Sequence, residues 1–80
     1  MGIIHKNYVN ILRVLRRNGY LKASKIATQV NVDKHNVYDY LDKLVKVGWV
    51  KKTKQGVLSS SANVYRLTKK GFIFLKIYKK

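Results

Sequence analysis

Eighty residues carry 18 Lys and Arg against three Asp and no Glu, a formal charge of +15, with 46% hydrophobic residues and neither Cys nor Pro. A chain this short reads as one domain, is too apolar to be a disordered basic tail, and without Cys has no disulfide or thiolate metal site. So lopsided a charge meets a polyanion, nucleic acid before anionic membrane.

Ile4, Tyr8, Ile11, Leu12 and Leu15 follow helical spacing, with Lys6, Arg13, Arg16 and Arg17 falling elsewhere, so the chain opens with an amphipathic helix. Asn18-Gly19 should end it, because glycine takes the left-handed C-terminal position without strain. Tyr20-Leu21-Lys22 reads as a short extended piece. Ser24 is expected to cap a second helix that turns Ile26, Ala27 and Val30 inward. Asn31-Val32-Asp33 reads as a tight turn, with Asn tolerating positive φ. Asp33 then caps a third helix, where its carboxylate also suits the positive end of the helix dipole. Val37, Leu41, Leu44 and Val45 form the buried stripe of that helix, and Gly48 ends it.

Two extended stretches follow, residues 49–54 and 63–67, joined by a Gly- and Ser-containing loop at 55–62; this pattern reads as a β-hairpin. Thr68 is expected to cap a last helix running over 69–80. Tyr8, Trp49, Tyr65 and Phe74 fall on inward faces, while Tyr20 and Tyr38 are freer. No apolar run is long enough to cross a bilayer or act as a signal peptide, and Lys6 stands where a myristoylation motif beginning at Gly2 wants Ser or Thr. The chain is therefore expected in the cytoplasm, associated with the nucleoid.

Two stretches resemble the winged helix-turn-helix domains of the MarR, ArsR and PadR kind. The first is Ser24-Lys25-Ile26-Ala27, Asn31-Val32-Asp33, Val37, Leu41, Leu44 and Gly48-Trp49-Val50. It is similar to their Ser/Thr-x-x-(Leu/Ile)-Ala, turn, and Val-x-x-x-Leu-x-x-Leu pattern. The second is Tyr65-Arg66-Leu67-Thr68-Lys69-Lys70-Gly71, similar to the Tyr-x-Leu-Thr-x-x-Gly that closes the wing in those families. Together they cover roughly residues 8–75, and the basic, Ile-, Val- and Tyr-rich composition also resembles small archaeal and archaeal-virus regulators. The fold class implied is α+β: one domain over 1–80, with the helix-turn-helix at about 24–47, the wing at about 49–67 and the C-terminal helix at about 69–80.

The resemblance implies that the third helix enters the major groove of double-stranded DNA. Its exposed positions there are Lys34, His35, Asn36, Tyr38 and Asp39, followed by Lys43. Asn and Lys side chains suit adenine and guanine edges respectively, and a carboxylate can accept from cytosine. Lys51, Lys52, Lys54 and Arg66 on the hairpin suit phosphate or minor-groove contact.

The acids are distributed unevenly. Residues 33–42 hold all three Asp and one Lys, whereas the other 70 residues hold 17 Lys and Arg and no acid. Asp39 precedes Lys43, and Asp42 precedes Lys46, by four positions, the spacing of helical ion pairs worth about 0.2–0.5 kcal/mol each. The alternative role for Asp39 is to discriminate between bases at a cost in raw affinity. Ile3 and Val14 lie outside the main stripe of the first helix, and Ile73 and Ile77 lie opposite the packing side of the last. These four residues are the expected interface of a homodimer.

No catalytic constellation, cofactor motif, metal spacing or small-molecule effector site is present in the sequence. The expected function is therefore a sequence-specific, dimeric regulator of transcription. The alternatives are a non-specific architectural DNA binder, an RNA-binding winged helix of the ribosomal type, and a protein–protein module using the acidic helix.

Overall fold

The computed structural model describes residues 6–55 and 62–78. The elements are α1 (Lys6–Asn18), β1 (Tyr20–Leu21), α2 (Ala23–Val30), α3 (Lys34–Val47), β2 (Val50–Gln55), β3 (Ala62–Leu67) and α4 (Lys69–Ile77). This is the α+β order expected from the sequence. Ile3, Ile4 and the loop at 56–61 lie outside the described residues.

Local chemistry fixes most boundaries. Gly19 leaves α1 with φ 89° and donates its amide to the Leu15 carbonyl at 2.8 Å. Asn31 closes α2 in the left-handed region, φ 58°, and Gly48 does the same for α3 at φ 88°. At the start of α3, the Asp33 carboxylate accepts from the His35 amide at 3.0 Å. The Thr68 hydroxyl accepts from the Gly71 amide at 3.1 Å and donates to the Gly48 carbonyl at 2.7 Å. One side chain therefore both caps α4 and ties its start to the end of α3.

The start of α2 differs from the expectation. The helix begins at Ala23 and Ser24 lies inside its first turn; the N-cap position belongs to Lys22, which makes no side-chain capping bond. Ala23 is buried in the core, and seating it there draws the helix start two residues earlier. The last helix is also shorter than expected, ending at Ile77 with Tyr78 extended.

The three strands form one antiparallel sheet in the order β1-β3-β2. β1 pairs Tyr20 with Arg66 and Leu21 with Tyr65, while β2 runs against β3 from Val50↔Leu67 to Gln55↔Ala62. Ile11, Leu12, Leu15, Ile26, Val37, Leu41 and Val50 are fully buried beneath the sheet and between the helices. Burying each such side chain contributes about 1.5–3 kcal/mol.

Val14 belongs to this buried set, at 4% exposure, and is not available for the dimer interface expected of it. The reason is the position of α1, which touches α2, α3, α4, β1 and β3 and so buries more than one stripe. The last helix behaves as expected: Gly71 and Leu75 are buried and Phe74 and Tyr78 half-buried, whereas Ile73 and Ile77 face solvent. Trp49 stacks on Phe74 at 4.3 Å between centroids, and Phe74 on Tyr78 at 5.3 Å. Gly71 allows α4 this close: a Cβ there would overlap the Trp49 carbonyl oxygen and press on Leu67 Cδ1 at 2.9 Å.

Candidate nucleic-acid interface

α3 is fourteen residues long, about 21 Å at 1.5 Å per residue. Val37, Leu41 and Leu44 bury one side. The other side is left to solvent, and Lys34, His35, Asn36, Tyr38, Asp39 and Lys43 are all exposed, as the sequence reading requires. The Asp33 cap and the left-handed Asn31 fix the angle at which the first turn of α3 leaves α2.

Asp39, Asp42, Lys43, Val45 and Lys46 share a shallow concave surface with Lys52 of the wing. The acids of α3 therefore lie on the side of that helix that meets the wing. The expected Asp39–Lys43 and Asp42–Lys46 ion pairs do not close: among the described residues neither carboxylate has a salt-bridge partner. All four side chains are exposed, and a lysine held in water gains little from closing on a solvated carboxylate.

The wing cations do not form one surface. Strand alternation and register place Lys51 and Arg66 on the outer face of the sheet, in a row with Tyr20. Lys52 lies on the face that meets α3. Lys54 reaches round to an outer concavity with Tyr20, Thr53, Val64 and Arg66. Every described Lys and Arg is exposed, so the positive charge is solvated throughout.

Sequence reasoning overlooked residues at the other end of α3. A second concavity joins Lys34 and Tyr38 to Lys22, Ala23 and Ser24 at the start of α2, and to Asn63 and Tyr65 of β3. Tyr65 was expected to be a core residue and is one, at 2% exposure, but it also lines this opening. Burial, with the charges of Asp42 and Tyr38 beside it, holds its phenol above the ordinary value of 10.0. The available signal was register: Tyr65 pairs with Leu21, one residue before Lys22.

Among the described residues no helix is long and apolar enough to cross a membrane, and no group of three or more His, Cys, Asp or Glu is placed to hold a metal ion.

A helix-turn-helix backed by a three-stranded sheet with a β2–β3 wing defines a winged helix-turn-helix domain. Residues 4–70 match the family described as the sugar-specific transcriptional regulator TrmB. The chain belongs to that family of transcriptional regulators.

Solved structures of the MarR family share the fold. YusO from Bacillus subtilis matches with a TM-score of 0.83 at 23% identity, covering 91% of this chain and 51% of its own. The zinc-responsive ZitR from Lactococcus lactis matches with a TM-score of 0.80 at 20% identity, covering 94% and 51%. A mutant MarR from E. coli, crystallised with operator DNA, matches with a TM-score of 0.80 at 20% identity, covering 92% and 51%. The chain thus spans about half the length of these relatives. No curated protein sequence matches it.

Proposed function

We propose that the chain is a sequence-specific, double-stranded-DNA-binding regulator of transcription that acts in the cytoplasm on the nucleoid. In this reading Lys34, His35, Asn36, Tyr38, Asp39 and Lys43 of α3 face the major groove. Lys51, Lys52, Lys54 and Arg66 take the flanking backbone. The observation that carries the reading is the division of charge: the exposed α3 face holds Asp39 and Asp42 among its lysines, while the wing presents cations on both faces and no acid. A ribbon entering a groove meets a row of phosphates on either side, which suits cations on both of its faces.

Ile73, at 46% exposure, and Ile77, at 72%, give α4 an exposed apolar edge, while the neighbouring Phe72 ring carries the Arg16 guanidinium at 5.2 Å. These residues support a homodimer through α4, which would present two α3 helices to a two-fold site. Sedimentation at micromolar concentration gives a dimer in this reading, and a monomer removes it.

Selection from a random duplex pool tests sequence specificity, alongside binding to random duplex and structured RNA at about 150 mM salt. An enriched site with two-fold symmetry is expected. A pool with no enriched site would replace this reading with the architectural one, which the +15 charge favours. Preference for structured RNA would replace it with the ribosomal-type one.

A further inference from the structure

The residues assigned to the duplex above take six of the chain's 18 cations, and the other twelve lie elsewhere. Among those twelve are three of the four arginines, Arg13, Arg16 and Arg17, all on α1, in a chain that otherwise relies on 14 lysines. Lys6, Arg13 and Arg17 recur at spacings of seven and four, which sets them in one line along the helix. All three are exposed. The line runs about 16 Å at 1.5 Å per residue.

α1 meets α3 on its opposite side. There the Asn7 side-chain amide donates to the Tyr40 hydroxyl at 3.1 Å, and the Tyr8 ring stands edge-on to Tyr40 at 5.0 Å between centroids. One flank of the line is marked by Arg16, whose guanidinium lies 5.2 Å over the Phe72 ring of α4. The other is marked by Asn18, whose side-chain amide donates to Gln29 of α2 at 3.4 Å. The line therefore faces out between α2 and α4, turned away from α3, and a duplex seated on α3 leaves it uncovered.

Nothing within the fold neutralises these cations. All three acids lie at 33–42, and Asp39 and Asp42 are on the side of α3 that meets the wing. Among the described residues none of Lys6, Arg13 and Arg17 has a carboxylate partner. Arg13 and Arg17 are four apart, a spacing at which like charges weaken a helix. Lys6 stands in the first turn, where the helix dipole favours an acid and this helix has none. The dipole accounts for Arg16 and Arg17 in the last turn, but not for Lys6 and Arg13. A row of cations that the helix itself disfavours fits an external polyanion. Guanidinium forks suit phosphate in particular, pairing with two of its oxygens at once. One strand of a duplex presents a phosphate about every 3.4 Å of axis, so the line spans about five of them.

We propose that Lys6, Arg13 and Arg17 form a second nucleic-acid surface that takes the backbone of a separate DNA duplex, so that one protomer joins two duplexes. The inference rests on the DNA-binding reading for the first duplex, on α3 and the wing, and goes beyond it by adding a second. A line of cations along a backbone contacts phosphates and not base edges, so the second duplex is held whatever its sequence. Ile73 and Ile77 lie outside the line, and a homodimer through α4 carries two such surfaces.

The test uses the full chain. One duplex is fixed to beads, and capture of a second, labelled duplex of random sequence is measured at about 150 mM salt. The wild type should capture it. Arg13→Gln with Arg17→Gln should lower capture at least about fivefold and flatten its salt slope by about two, while affinity for a single selected site changes less than about twofold. The melting temperature of this variant should hold or rise, because a like-charge pair is removed. Arg13→Lys with Arg17→Lys keeps the charge and should keep at least about half of the capture.

Unchanged capture in the Gln variant overturns the second surface, since the joined duplexes would then sit on the α3 helices of two protomers. Capture and single-site affinity falling together overturn it too, because the arginines would then act only through overall charge. So does a marked fall in melting temperature, which would make the guanidinium groups structural. A wild type that binds one duplex but captures no second overturns it and leaves the DNA-binding reading standing; polyglutamate shifting the α1 amides in NMR would then give the line to an acidic protein. A wild type that binds no duplex removes both readings.

Discussion

The exposed side of α3 and the β2–β3 wing differ in charge, one mixed and the other wholly cationic. α3 carries Lys34, Lys43 and Lys46 against Asp39 and Asp42, with Asp33 at its cap, so the segment that would meet base edges is close to neutral. The wing carries Lys51, Lys52, Lys54 and Arg66 with no acid. Phosphates attract every cation equally whatever the sequence, so the wing can supply affinity but not choice. Base edges present both donors and acceptors, and a helix bearing both signs can reject as well as accept. In the proposed function this division gives holding to one element and reading to the other.

That division depends on the wing being held at a fixed angle to α3, and Gly71 is where the hold is tightest. Gly71→Ala places a methyl group against the Trp49 carbonyl and Leu67. It should cost about 3 kcal/mol and lower the melting temperature by roughly 15–20 °C, as calorimetry would show. Removing the cations tests the wing itself. Lys51, Lys52, Lys54 and Arg66 changed together to Gln should weaken duplex binding roughly a hundredfold at physiological salt and flatten the salt slope by about 3–4, with the preferred site unchanged. A change in the preferred site would show that the wing reads sequence as well.

Two smaller effects belong to the α3 side. Asp33→Ala removes the bond to the His35 amide and should lower stability by about 1 kcal/mol, a shift of roughly 4–8 °C in melting temperature. Asp39→Asn should leave non-specific affinity equal or higher while discrimination between specific and random duplex falls about threefold. Undiminished discrimination would remove Asp39 from the reading role.

What was legible in the sequence was whatever depends on a few neighbouring residues. Asn31, Asp33, Gly19, Gly48 and Thr68 each act on backbone within a turn of themselves, and each sits where the local pattern put it. What was not legible depended on packing at a distance. Val14 is buried because α1 has neighbours on several sides, which a single-stripe reading of periodicity misses. Ser24 lost the cap to Lys22 because Ala23 had to reach the core. The two-residue β1 finds its partner in β3, more than forty residues later, and that pairing brings Tyr65 beside the start of α2. In the candidate site, the exposed set on α3 followed from helical periodicity. The separation of Lys51 and Arg66 from Lys52 needed the strand register.

The most direct test of holding versus reading is the salt dependence of binding, measured in parallel on a selected site and on random duplex. With four to six phosphates engaged per protomer, log K should fall against log salt with a slope of about −4 to −5 on both, and the gap between the two lines should stay constant as salt rises. A slope near zero, or two lines that coincide, would contradict the division of labour between the wing and α3.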